Sequence, residues 1–223
     1  MNSSMLSLLG GTIKGTELAS VIEILFLLTV LSIGPIILIT LTSFTRIVVV
    51  LSFLRQALGT QQSPPNQIII ALSLFLSLYV MAPVWQRIEA VSVAPYLQRT
   101  IGPQEALEQA WLPLREFLLR QTRKADLGLF LRLRGEMQKK ETEAPATVLI
   151  PAFMISELKT AFQIAFLIYV PFLILDLVVA SIVMSMGMMF LPPVLISLPL
   201  KLALFVLVDG WNLLVDSIIR GFK

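Results

Sequence analysis

The groups in this 223-residue chain that could do chemistry are 17 Lys or Arg, 14 Asp or Glu, and nine methionines; histidine and cysteine are absent. Without imidazole the commonest general base and transition-metal ligand are missing. Without thiols there are no disulfides, thiolate nucleophiles or cysteine metal sites. Zinc, haem and Ser-His-Asp chemistry are therefore not expected, and neither is any cofactor. Glu157, Asp176 and Asp209 stand in or beside apolar runs, but no paired or metal-ligand spacing joins them for acid–base work. No glycine loop of the phosphate-binding type is present, and the chain reads as a non-enzyme. The methionines are more distinctive, with Met184, Met186, Met188 and Met189 falling within six residues. Methionine is unbranched and polarizable, and it repacks around different shapes. Beside Gly187 and Pro192-Pro193, such a cluster suits a deformable seal. It also reads as plain core or lipid contact.

The elements that must carry these groups are set by uneven charge. Eighteen of the ionisable residues lie between Arg87 and Glu143, and the flanks are almost continuously apolar. Ile24 to Thr45 (22 residues), Asn66 to Gln86 (21) and Leu177 to Leu200 (24) carry no charge. Each is long enough to cross a hydrocarbon core of about 30 Å as a helix. Charged residues are 14% of the chain, against about 25% in soluble domains. The net charge of +3 is too small and too dispersed to suggest nucleic acid. The chain reads as an all-α membrane protein divided into N-terminal helices (1–85), a hydrophilic helical insert (86–147) and a C-terminal hydrophobic hairpin (148–223).

The simplest topology has four crossings. Arg46 and Arg55, taken as loop residues, favour a cytoplasmic turn and place the insert in the periplasm. Met1 to Leu18 lacks a basic n-region and cleavage site, so the first apolar run, with Glu23 near its start, reads as a retained membrane segment. Ile47 to Leu54 is too short to span and is expected to continue a helix inside an assembly. Gly34-Pro35, Pro83, Pro171, Pro192-Pro193 and Pro199 are expected to interrupt the apolar helices, which is tolerated at membrane depth only within protein or beside a cavity. Asp176 is expected to have a buried partner, whereas Lys159 and Asp209 read equally as interfacial groups that snorkel. In the insert, Leu107, Ala110, Trp111, Leu114, Phe117 and Leu118 follow a helical period after Pro103. Asp126 can cap a second helix carrying Leu127, Phe130, Leu131 and Leu133. Lys139 to Ala146 reads as a linker, and on pattern alone Phe117 and Phe130 are core residues.

Four stretches carry a resemblance: Ser43 to Arg46 with Leu54 to Gln67, Ser156 to Gln163, Pro171 to Ala180 with Met186 to Met189, and Phe205 to Trp211. Together they resemble the FliP family, the membrane core of the flagellar type III protein export gate. The resemblance implies bent helical hairpins and a periplasmic insert, self-associated into a ring (a pentamer is expected) that lies largely above the bilayer plane. It implies FliQ and FliR as ring partners, FlhB and FlhA of the export apparatus, membrane lipid, and unfolded export substrates. The location is the bacterial inner membrane, multi-pass, within the flagellar basal body. By motif, Met186, Met188 and Met189 fall at a pore gasket, with Phe190 where some relatives have methionine. Phe117 and Phe130 fall at positions linked to ring assembly. Arg123, Glu157 and Lys201 fall at charged positions expected to pair between neighbouring subunits. The implied mechanism is passive gating of a conduit. A homologous virulence injectisome subunit shares much of these motifs. A secondary transporter or ion channel is the alternative of a different class, and it predicts internal repeats that the two halves do not show.

Overall fold

The computed structural model describes residues 24–25, 28–29, 32–37, 39–60, 62–136, 143–188 and 190–222. The readings of Met1 to Leu18 and Glu23, the first half of the Lys139 to Ala146 linker, and Met189 lie outside the described residues. The chain divides into two units, Met1–Leu38 and Ile39–Lys223. In the first, residues 32–37 are helical. Gly34-Pro35 therefore does not interrupt that stretch, which corrects the sequence expectation.

The second unit begins with α1 (Phe44–Leu58), which buries Ile47, Val50, Leu51, Leu54 and Leu58. That is one stripe at helical spacing. Gly59 ends it at φ 77°, its N–H donating to the Gln56 carbonyl at 3.0 Å, a left-handed cap that glycine adopts without steric cost. α2 (Asn66–Ile88) runs through a π-turn (Glu89–Val93) into the short α3 (Ala94–Leu97). Together they form a 32-residue apolar stretch long enough to cross a membrane. Small hydroxyls join the turn before α1 to α2: Ser43 Oγ donates to Ser77 Oγ at 3.1 Å, which donates to Thr42 Oγ1 at 3.3 Å. Small side chains let helix backbones approach closely.

The insert contains α4 (Pro103–Gln121), opened by Pro103 after Gly102, and α5 (Lys124–Leu133). The long α6 (Ala146–Ser185, 40 residues) packs against α1, α4 and α5. α7 (Pro193–Leu207) folds back on α6, and α8 (Gly210–Arg220) departs from α7 at a 65° bend. Asp209 takes φ 51° at that bend. A Cβ on Gly210 would lie 2.2 Å from the Phe205 ring, so the close turn requires glycine there.

Four further expectations are corrected. Pro83, Pro171 and Pro199 lie inside helices, and only Pro192-Pro193 coincides with a break. Opening the backbone in an apolar setting would leave unsatisfied peptide groups, so the helix continues past the lost hydrogen bond. The uncharged run Leu177 to Leu200 is not one span, because α6 carries it only to Ser185 and the chain turns before α7. Two described helices are long and apolar enough to span, or up to four if each bent pair counts as one. Arg46 and Arg55 are not loop residues: both lie in α1, and Arg46, 2% exposed, cannot serve the charge count that set sidedness. Asp126 does not cap α5. Arg123 stands at the cap position, and Asp126 is buried in the first turn.

Candidate functional site: a buried charge network and a methionine turn

Three ion pairs position the helices. In the first, Arg46 of α1 meets Glu157 of α6, 0% exposed, in a two-pronged contact. Arg46 Nε donates to Glu157 Oε2 at 2.9 Å and Nη2 donates to Glu157 Oε1. A planar guanidinium matches a carboxylate in this way. Nη2 also donates to Gln121 Oε1 at 3.1 Å, and Nη1 donates to the Gly221 carbonyl at 2.8 Å. The Phe222 ring covers the guanidinium, 3.8 Å from Cζ. Glu157, expected to pair with a neighbouring subunit, has an intrachain partner that uses both carboxylate oxygens.

The second pair docks the insert. Lys159 of α6 donates to Asp126 Oδ1, and Ser156 Oγ donates to Asp126 Oδ2 at 2.8 Å. Burial pushes the Asp126 carboxyl up. The Lys159 and Ser156 hydrogen bonds and the charges of Lys159 and Arg123 outweigh it and hold the group below the usual carboxylate range. Arg123 adds its backbone N–H to Ser156 Oγ at 3.0 Å and its Nη2 to Thr160 Oγ1 at 3.0 Å and Gln163 Oε1 at 2.5 Å. Lys159 is half exposed and has Asp126 as its partner.

In the third, Lys201 of α7, 5% exposed, donates to Asp176 Oδ2 at 2.5 Å and to the Ala57 carbonyl at 3.1 Å. Asp176 thus has the buried partner expected of it. Ala57 lies in the last turn of α1, where carbonyls lack intrahelical partners and a cation is favourable. Asp209 accepts from Asn212 Nδ2 at 2.5 Å and occupies the α7–α8 bend.

The methionine segment is a helix end. The Gly187 N–H donates to the Met184 carbonyl at 3.0 Å and the Met188 N–H to the Val183 carbonyl at 3.2 Å. With Gly187 at φ 73°, this is a Schellman termination. Met184, Met186 and Phe190 are exposed and Met188 is half-buried. The turn presents soft side chains that no other element of the described chain covers fully. Phe117 is buried with its ring 6.0 Å from that of Phe153, while Phe130 is half-buried at the edge of the same core.

Sequence reading missed Gln121 and Phe222 as partners of a buried charge. A pointer to the pair existed in part: Arg46 has no other charge between Ile24 and Leu54, and an isolated charge in such surroundings needs a partner.

Apolar helices of spanning length, no strands among the described residues, and charges buried only in pairs define an all-α, multi-pass membrane protein. Residues 27–218 match the FliP family. The chain is 52% identical over 208 residues to the flagellar biosynthetic protein FliP of Bacillus subtilis (strain 168), covering 92% of this chain and 94% of that protein. It is 51% identical over 210 residues to the protein of that name from Aquifex aeolicus (strain VF5), covering 93% and 88%. With that of Pectobacterium carotovorum subsp. carotovorum it shares 53% over 202 residues, covering 90% and 78%. The chain belongs to the FliP family.

Proposed function

We propose that this chain is a core subunit of the flagellar protein export gate in the bacterial inner membrane, lining the conduit through which unfolded flagellar proteins leave. The family match over residues 27–218 carries this reading. The turn after α6 supports the gating role, because exposed Met184 and Met186 sit at the end of a 40-residue apolar helix. Apolar side chains that close behind a passing chain exclude water and limit ion leak. Met186, Met188 and Met189 form the gasket in this reading. Residues 86–147 form the periplasmic insert between the membrane parts 1–85 and 148–223, with Phe117 and Phe130 supporting ring assembly. Arg123, Glu157 and Lys201, each bonded within its own chain, set subunit register by fixing the helices that meet the neighbouring copy. Partners are further copies of this chain (five are expected), FliQ, FliR, FlhB and FlhA. The energy is supplied elsewhere in the apparatus or by the proton gradient.

Co-expression with FliQ and FliR, followed by mass measurement and imaging of the detergent extract, tests the proposal. A discrete ring containing all three supports it. A monomer or dimer that ignores those partners overturns it and makes solute transport the leading reading.

A further inference from the structure

The Arg46 guanidinium has five N–H donors and two flat faces to satisfy at a position 2% exposed. Glu157 occupies Nε and one donor of Nη2, and Gln121 takes a further one. The turn after α8 supplies a fourth acceptor and covers one face. The Gly221 carbonyl accepts from Nη1 at 2.8 Å, and the Phe222 ring lies 3.8 Å from Cζ. The same turn reaches α4, since Gln121 Nε2 donates to the Phe222 carbonyl at 3.2 Å. Leu214, Ile218 and Phe222 recur every four residues and are all buried. The turn therefore prolongs the inward face of α8 onto a charge rather than onto more hydrocarbon.

We propose that the Gly221–Phe222 turn is a latch. It adds an acceptor and an aromatic face to the shell around Arg46 and ties the α7–α8 arm to the end of α4 through one guanidinium, so that α8 and the insert hold or release together. Phe222, Gln121 and Arg46 are positioning residues in this device. The simpler role, in which Phe222 only adds apolar area to α8, predicts no coupling to α4.

Amide hydrogen exchange on the full chain, extracted in detergent in whatever assembly it forms, separates the two. Phe222→Leu keeps an apolar side chain and removes the aromatic face. It is expected to speed exchange about tenfold, the scale of a desolvated cation–π contact, both at Ile218 to Phe222 and at Gln121-Thr122. Phe222→Trp restores slow exchange at both places. Gln121→Leu, which changes no residue of α8 or its turn but removes the bond to the Phe222 carbonyl, is expected to speed exchange across Ile218 to Phe222. Acceleration confined to α8 in Phe222→Leu, or an unchanged α8 in Gln121→Leu, overturns the latch. If Phe222→Leu does not fold, Gln121→Leu alone decides. None of these readouts depends on export or ring formation, so the latch and the gate stand or fall separately.

Discussion

The two halves of α6 share one helix and two kinds of surroundings. From Ala146 to Ala165 the helix buries Val148, Leu149, Ala152, Phe153, Ser156 and Glu157 against α1, α4 and α5, and Arg46, Arg123 and Asp126 match its polar groups. Beyond Ala165 it exposes Phe166, Leu167, Ile174, Leu177, Val178 and Ile182, with α7 along one side. At about 1.5 Å per residue the helix is about 60 Å long, twice the hydrocarbon thickness of about 30 Å. The first half is thus held by several helices of its own chain, and the second by α7, with its other apolar faces exposed. Charge is placed deep only where the chain itself supplies the partner.

The largest test of that contrast is Glu157→Ala. It leaves Arg46 buried without its carboxylate, and removing one member of a buried pair costs about 3–5 kcal/mol. We expect a marked fall in folded chain and in intact ring, read by thermal melting and by complex yield. Arg46→Glu with Glu157→Arg in the same chain is expected to recover part of the loss. The same two changes placed on separate co-expressed copies are not. Recovery only across copies would show that the functional pair lies between subunits.

Gly210→Ala is next, since its new Cβ would overlap the Phe205 ring and overpacking costs about 1–3 kcal/mol. The expected result is a lower melting point with the Arg46 region intact. Gly187→Ala meets no atom within 4 Å but strains a left-handed residue, by about 1 kcal/mol. A small melting shift with altered ion leak through the assembled complex is expected, and an unchanged leak would separate the turn from the seal.

Acid sharpens the comparison further. The folded-state value of Asp126 lies below its unfolded value. Its contribution is therefore fully present above the unfolded carboxylate value and disappears as pH falls through the lowered folded value. Melting followed from neutral to acid pH should show loosening of the insert at that low end, and Asp126→Asn should flatten that limb. The smallest effect is expected for Glu116→Gln, which breaks a pair with Arg87 in which both side chains are more than half exposed. Such surface pairs contribute little, and the melting point should not move measurably.

How much of this was legible in the sequence depends on the range of the signal. Apolar length marked α2 and the 3.6-residue period marked α4, because those signals are local, whereas the uncharged run Leu177 to Leu200 caught only the end of α6. The partner of Asp176 was expected from the length of its uncharged surroundings. The prolines misled, since a proline inside a helix and one that ends it look alike until packing is known. Arg46 misled for a different reason. Its partner lies 111 residues away, and a lone cation between two apolar runs reads as a loop charge unless that partner is seen. Asp126 was placed near a helix start correctly, but its second role needed Ser156 and Lys159 from another helix. Only the ordered motifs, matched as a set, pointed to a gate.

One consequence follows from α6 being unbroken. From Glu157 to Ser185 is 28 residues, about 42 Å of continuous helix at about 1.5 Å per residue. Turning such a rod by about 5° at its clamped end carries its tip sideways by about 4 Å, roughly the width of a methionine side chain. The charge cluster is the fulcrum of a beam whose far tip holds the methionines.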